Sequence, residues 1–144
     1  MIKITSNSDE VKARLALRIM ALKNKGDESI KAVAHFFEGK MVEKIALNQL
    51  APPLSPETVK KKKSSRILFD KGDLQGQITS DFSAPMHAEV GVIDKGDKKR
   101  AYIAKIHEYG APEAGIPERS FMRSAYIENR GKMAKIFSKK MREK

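Results

Sequence analysis

Between Ser8 and Lys25, Val11, Leu15, Ile19 and Leu22 recur at helical spacing, while Lys12, Arg14 and Arg18 fall elsewhere on the wheel. This is the pattern of an amphipathic helix. Gly26-Asp27 interrupts it, and Asp27 suits the cap of a second helix carrying Ile30, Val33, Ala34, Phe37, Met41 and Ile45 on its apolar side. A helical hairpin and one kinked rod both satisfy this reading. Ala51-Pro52-Pro53 closes the helical region, because proline lacks an amide donor and disfavours helical geometry in the residue before it.

Leu54-Ser55-Pro56-Glu57-Thr58-Val59 has the grammar of a helix start, with Ser55 as cap, Pro56 in the first turn and Leu54 placed to reach Val59. That short helix runs into Lys60-Lys61-Lys62-Lys63-Ser64-Ser65-Arg66, whose crowded like charges predict an exposed, mobile loop. Asp70 then serves as the cap of another short helix over about 71–77, with Asp73 near the positive end of its dipole and Phe69 against Leu74. Residues 78–82 and 88–93 alternate in the manner of a β-hairpin, with Val90 and Val92 set against Glu89 and Gly91. Residues 94–100 read as a polar loop. Residues 102–109 fit either a strand or a single helical turn, and 110–117 are too rich in glycine and proline to be regular. A last helix from about Ser120 uses Met122, Tyr126, Met133, Ile136 and Phe137 as its apolar side and ends in a basic run.

With 144 residues the chain has room for one core. The absence of cysteine excludes disulfides, thiolate metal sites and thiol nucleophiles. No apolar stretch is long enough to cross a membrane, and Met1 to Thr5 lacks the apolar run of a secretory signal, so the expected setting is cytoplasm-like, with no membrane partner. The excess of 29 Lys+Arg over 18 Asp+Glu, a net charge of +11, favours polyanions or an acidic protein face as partners.

Catalytic chemistry has little to stand on. His107-Glu108 lacks the second histidine of the zinc-protease spacing, since position 111 is alanine. No phosphate loop, nucleophile elbow or paired-carboxylate motif appears. The expectation is no enzyme, no metal and no cofactor. Sequence-specific reading of bases is also disfavoured, because helix-turn-helix and zinc-finger patterns and interleaved aromatics are missing.

Three segments, in order, resemble the tail-completion, neck and virion-morphogenesis proteins of tailed bacteriophages and prophages. Leu54-Ser55-Pro56-Glu57-Thr58 is similar to that family's Leu-Ser-Pro-x-Thr opening. The run from Leu68 through Asp70, Gly72 and Leu74 to Ile78 is similar to its Leu-x-Asp-Thr-Gly-x-Leu-x-x-Ser-Ile element, with Lys71 for Thr and Gln77 for Ser. His107-Glu108-Tyr109-Gly110 and Pro117-Glu118-Arg119-Ser120-Phe121-Met122-Arg123 resemble its His-Glu-Phe-Gly and Pro-Ala-Arg-Pro-Phe-Leu-Arg, with serine at 120 in place of proline.

The resemblance covers about Leu54 to Ala125 and implies an α+β fold; with the rest of the chain the expectation is a single domain over 1–144. It would comprise an N-terminal helical region over 1–51, a family-like core of amphipathic helices on a small antiparallel sheet over 54–130, and a basic helix end over 131–144. It implies a virion subunit made in the host bacterial cytoplasm, a ring expected to be hexameric, placed between head-connector and tail-terminator or tail-tube proteins, with DNA passing through its channel. The structural and assembly role falls on Asp70, Gly72, Leu74, His107, Glu108, Gly110, Pro117, Arg119 and Phe121. Lys60, Lys61, Lys62, Lys63 and Arg66 are the candidates for contact with DNA or an acidic partner. The rival reading is a free nucleic-acid-binding protein that grips phosphates through these basic segments.

Overall fold

A computed structural model describes residues 7–68, 74–93 and 98–143. The fold is α+β, with helices packed on a small antiparallel sheet. The elements are α1 (Ser8–Ala46), α2 (Pro56–Lys62), β1 (Ile78–Asp81), β2 (Glu89–Val92), α3 (Lys98–Tyr109) and α4 (Met122–Arg142).

Helix α1 passes through Gly26-Asp27 without a break, so the rod is realised and the hairpin is not. The reason lies outside the helix. A Cβ on Gly26 would sit 2.7 Å from Met86 Cε, in the turn between β1 and β2. The neighbouring Asp27 carboxylate accepts the Met86 amide at 3.1 Å and pairs with Lys31 at 2.7 Å. The residues that look like a helix interruption are the seat of the hairpin turn.

Helix α2 begins as its grammar predicts, with Ser55 Oγ accepting the Thr58 amide at 3.3 Å and Pro56 in the first turn. It ends at Lys63, which takes a left-handed conformation (φ 52°). The basic run is therefore not a loop throughout: Lys60 to Lys62 are helical. Beyond it, Lys62 Nζ donates to the Arg66 carbonyl at 2.8 Å, Arg66 donates to the Ala46 carbonyl at 2.9 Å, and Asn48 Oδ1 accepts the Ile67 amide at 2.7 Å. These bonds tie the run to the end of α1 and carry Ile67 into the core, where it is buried.

Asp70, Gly72, Phe69 and Asp73 lie outside the described residues. The expected helix over 71–77 is seen only at its end, where Gln75–Gln77 form a 3-10 turn after the buried Leu74. The hairpin forms as its alternation predicts, with Ile78 opposite Val92, Thr79 opposite Gly91, Ser80 opposite Val90 and Asp81 opposite Glu89.

The segment expected to be a strand or one helical turn is the longer helix α3, which already includes Lys98, Lys99 and Arg100 of the supposed loop. Its buried positions are Ala104 and Glu108, one turn apart on one face. A face made of a small residue and a carboxylate carries no hydrophobic periodicity, which hides the helix from pattern reading. Residues 110–117 stay irregular, with a 3-10 turn at Pro112–Ala114 and a single bridge between Ala111 and Ile116.

Helix α4 lies alongside α1 in the opposite direction. Lys44 meets Glu128 at 2.7 Å near one end, and Lys25 Nζ donates to the Glu143 carbonyl at 2.5 Å at the other. The core gathers Met41 and Ile45 of α1, Leu50, Ile67, Leu74, Ile78, Ala104, Phe121 and Ala125. Among the described residues no helix is long and apolar enough to cross a membrane.

Candidate functional site

The residues singled out in the last segment form one corner, where α3 turns into α4. Phe121, at the cap position of α4, supplies no side-chain cap of its own. Glu108 supplies it from α3. One carboxylate oxygen accepts the amides of Phe121 and Met122, both at 2.9 Å, and the other accepts the Arg123 amide at 2.9 Å and the Ser120 hydroxyl at 2.6 Å. Glu108 is 2% exposed. A buried carboxylate is tolerated when its lone pairs are filled by donors, and the positive end of a helix dipole adds to the attraction.

Around this cap the chain is held close. The Arg119 amide donates to the His107 carbonyl at 2.7 Å. Gly110 has φ +75°, and a Cβ there would lie 2.9 Å from the Glu118 amide nitrogen, so glycine is needed both for the turn and for the approach. Arg119, 5% exposed, sends Nε to the Pro52 carbonyl at 2.7 Å and a terminal nitrogen to the Pro53 carbonyl at 3.2 Å. That fork locks the corner to the segment leading into α2. Phe121, fully buried, fills the core beneath it, while Pro117 sits on the surface.

His107 plays a different part from Glu108. Its backbone carbonyl is used, but its buried Nδ1 has no hydrogen-bond partner. Burial, then the positive charges of Arg119 and Lys62, hold its pKa below the usual imidazole value. Both effects disfavour the charged ring. Among the described residues no group of three or more His, Asp or Glu side chains is arranged to hold a metal ion.

The structure brings His107, Glu108, Gly110, Arg119 and Phe121 together and places Leu74 in the same core. It separates the basic candidates. Lys60, Lys61 and Lys63 are exposed, whereas Lys62 and Arg66 are half-buried and spend donors on their own chain.

Two apolar surfaces escape the motif reading. One is the first half of α1, where every residue from 8 to 24 is exposed, Val11, Leu15, Leu17, Ile19, Met20 and Leu22 included. The stripe of Val11, Leu15, Ile19 and Leu22 is not part of the core: α4 ends level with Lys25, and the described residues leave the rod beyond it exposed. The other is a groove of about 430 Å³ between α1, β2 and α4, lined by residues such as Phe37, Val90, Tyr126 and Phe137. Comparison of the chain with known protein families, with curated proteins and with solved structures found no match to any of them.

Proposed function

We propose that this chain is a structural subunit of a tailed bacteriophage or prophage, a neck or tail-completion protein that works by assembling into a ring between head and tail and not by catalysis. The observation that carries the reading is the exposed apolar half of α1. A large exposed apolar surface is the mark of a protein that contacts other protein. The kind of assembly comes from the motif resemblance. It gains support from the corner, where the residues of the third segment meet as one rigid joint and reach the chain just ahead of the first.

Negative-stain imaging and mass measurement of the purified chain, alone and mixed with head-connector and tail-tube proteins, test the proposal. Rings of uniform size are the expected result. A chain that stays monomeric in every mixture, and is absent from purified virions, overturns it. The charge of +11 and the exposed Lys60, Lys61 and Lys63 favour the second reading, a free nucleic-acid-binding protein. That reading requires the isolated monomer to bind DNA tightly, with an affinity that falls steeply as salt rises.

A further inference from the structure

The exposed half of α1 has two apolar faces, not one. At roughly 100° per residue, Val11, Leu15, Ile19 and Leu22 form one stripe, and Ala13, Ala16, Leu17 and Met20 form another on the far side of the rod. Mainly basic residues separate them, with Arg14, Arg18 and Lys25 along one seam and Lys12 and Lys23 along the other; Glu10 pairs with Arg14 at 2.6 Å and Asp9 with Lys12 at 3.5 Å, which leaves the rod net positive. The larger side chains of both stripes are between 45% and 68% exposed. A helix that is apolar on opposite sides is normally enclosed by neighbours, and a rod of this length, roughly 27 Å at 1.5 Å per residue, draws its stability from packing.

The two faces differ in shape. One presents branched side chains in a row, and the other sets Ala13 and Ala16 beside Leu17 and Met20, leaving hollows into which such a row can fit. Two unlike, complementary faces on one element are what a head-to-tail contact between identical subunits requires, and repetition of that contact closes into a ring when the rotation allows. A two-fold pair would use the same face twice and leave the other bare.

We propose that the occupant of each face is residues 8–25 of another copy of this chain, so that the α1 rods of successive subunits stand side by side in a palisade, the first stripe of each against the second stripe of the next. This deepens the assembly reading of the previous subsection and rests on it. The basic seams then face the inside and the outside of the palisade, where like charges from neighbouring rods repel. Association through this surface is therefore strengthened by added salt, which screens that repulsion, whereas contacts held by ion pairs are weakened.

The absence of native cysteine makes cross-linking a direct test. Leu15 lies on the first face and Leu17 on the second, and both are exposed, so Leu15→Cys and Leu17→Cys leave the subunit fold intact, which circular dichroism verifies. Under mild oxidation at high protein concentration and raised salt, the full chain carrying both substitutions is expected to give a ladder of disulfide-linked multimers. Each single variant stays monomeric on non-reducing gels. A Leu15→Cys chain that dimerises efficiently by itself reveals a two-fold pair and overturns the palisade. Rings visible by negative stain without cross-linking in the double variant also overturn it, while leaving the ring reading in place. Neither rings nor cross-links, even with the neighbouring virion proteins added, overturns both.

Discussion

The Glu108 carboxylate accepts the Phe121 backbone amide at 2.9 Å, so the last turn of α3 caps the first turn of α4 across the corner that joins them. The cap is shared with Met122, Arg123 and Ser120, and all of these donors would lose their acceptor together in Glu108→Ala. Hydrogen bonds to a charged group contribute about 1.5–3 kcal/mol each and do not add independently, so the loss is expected to be about 3 kcal/mol. Urea denaturation checks it. A change under about 0.5 kcal/mol means that water replaces the carboxylate and the cap is dispensable.

Phe121→Ala removes a fully buried ring from the centre of the core and is expected to cost about 3–5 kcal/mol. Arg119→Ala leaves the carbonyls of Pro52 and Pro53 without their donor, and about 2 kcal/mol is expected for that loss. Arg119→Lys recovers little, because a single ammonium cannot reproduce the fork. Thermal melts of the three variants measure these effects, and an Arg119→Ala chain as stable as the parent would show that the guanidinium serves something outside the subunit.

The elements legible in the sequence are those whose signals are local. The cap at Ser55 and the alternation at Val90 and Val92 need only neighbouring residues, and both elements form where they are expected. Gly26-Asp27 misleads because its meaning depends on Met86, which lies 59 residues from Asp27 in the chain. Helix α3 is hidden because its buried face consists of a small residue, Ala104, and a carboxylate, Glu108. The corner motif is visible as a string of letters, yet the division of labour within it is not. That Glu108 caps while His107 packs follows from burial and from the direction of each side chain, which spacing alone does not fix.

Stability on the acid side is expected to depend on His107. Its pKa in the folded chain lies below the unfolded value of about 6.5, mainly because burial disfavours the charged ring and then because Arg119 and Lys62 repel a further positive charge. As pH falls through about 6.5, the unfolded chain takes up a proton that the folded chain resists. The contribution is fully present above that pH and is lost progressively below it, down to the folded pKa. Urea midpoints measured across this range are expected to fall more steeply for the parent than for His107→Gln, which cannot titrate. Parallel curves would mean that the ring is protonated as easily in the folded protein as in the unfolded one.

Two glycines are expected to respond to alanine with opposite signs. At Gly110 the backbone is left-handed (φ +75°), and a Cβ would meet the Glu118 amide nitrogen at 2.9 Å, backbone against backbone, where no rotamer change gives relief. Gly110→Ala combines the strain of that conformation with a displaced corner, and a loss of about 2 kcal/mol or more is expected. Gly131 lies within α4, and a Cβ there meets nothing within 4 Å. Alanine at such a site reduces the freedom of the unfolded chain and favours the helix, so Gly131→Ala is expected to stabilise by about 0.5–1 kcal/mol. Denaturation midpoints of the two variants, measured beside the parent, separate the cases. A gain at Gly110 would mean that the corner can relax around an added methyl group, and the close approach of Gly110 to Glu118 would then not be what shapes the joint between α3 and α4.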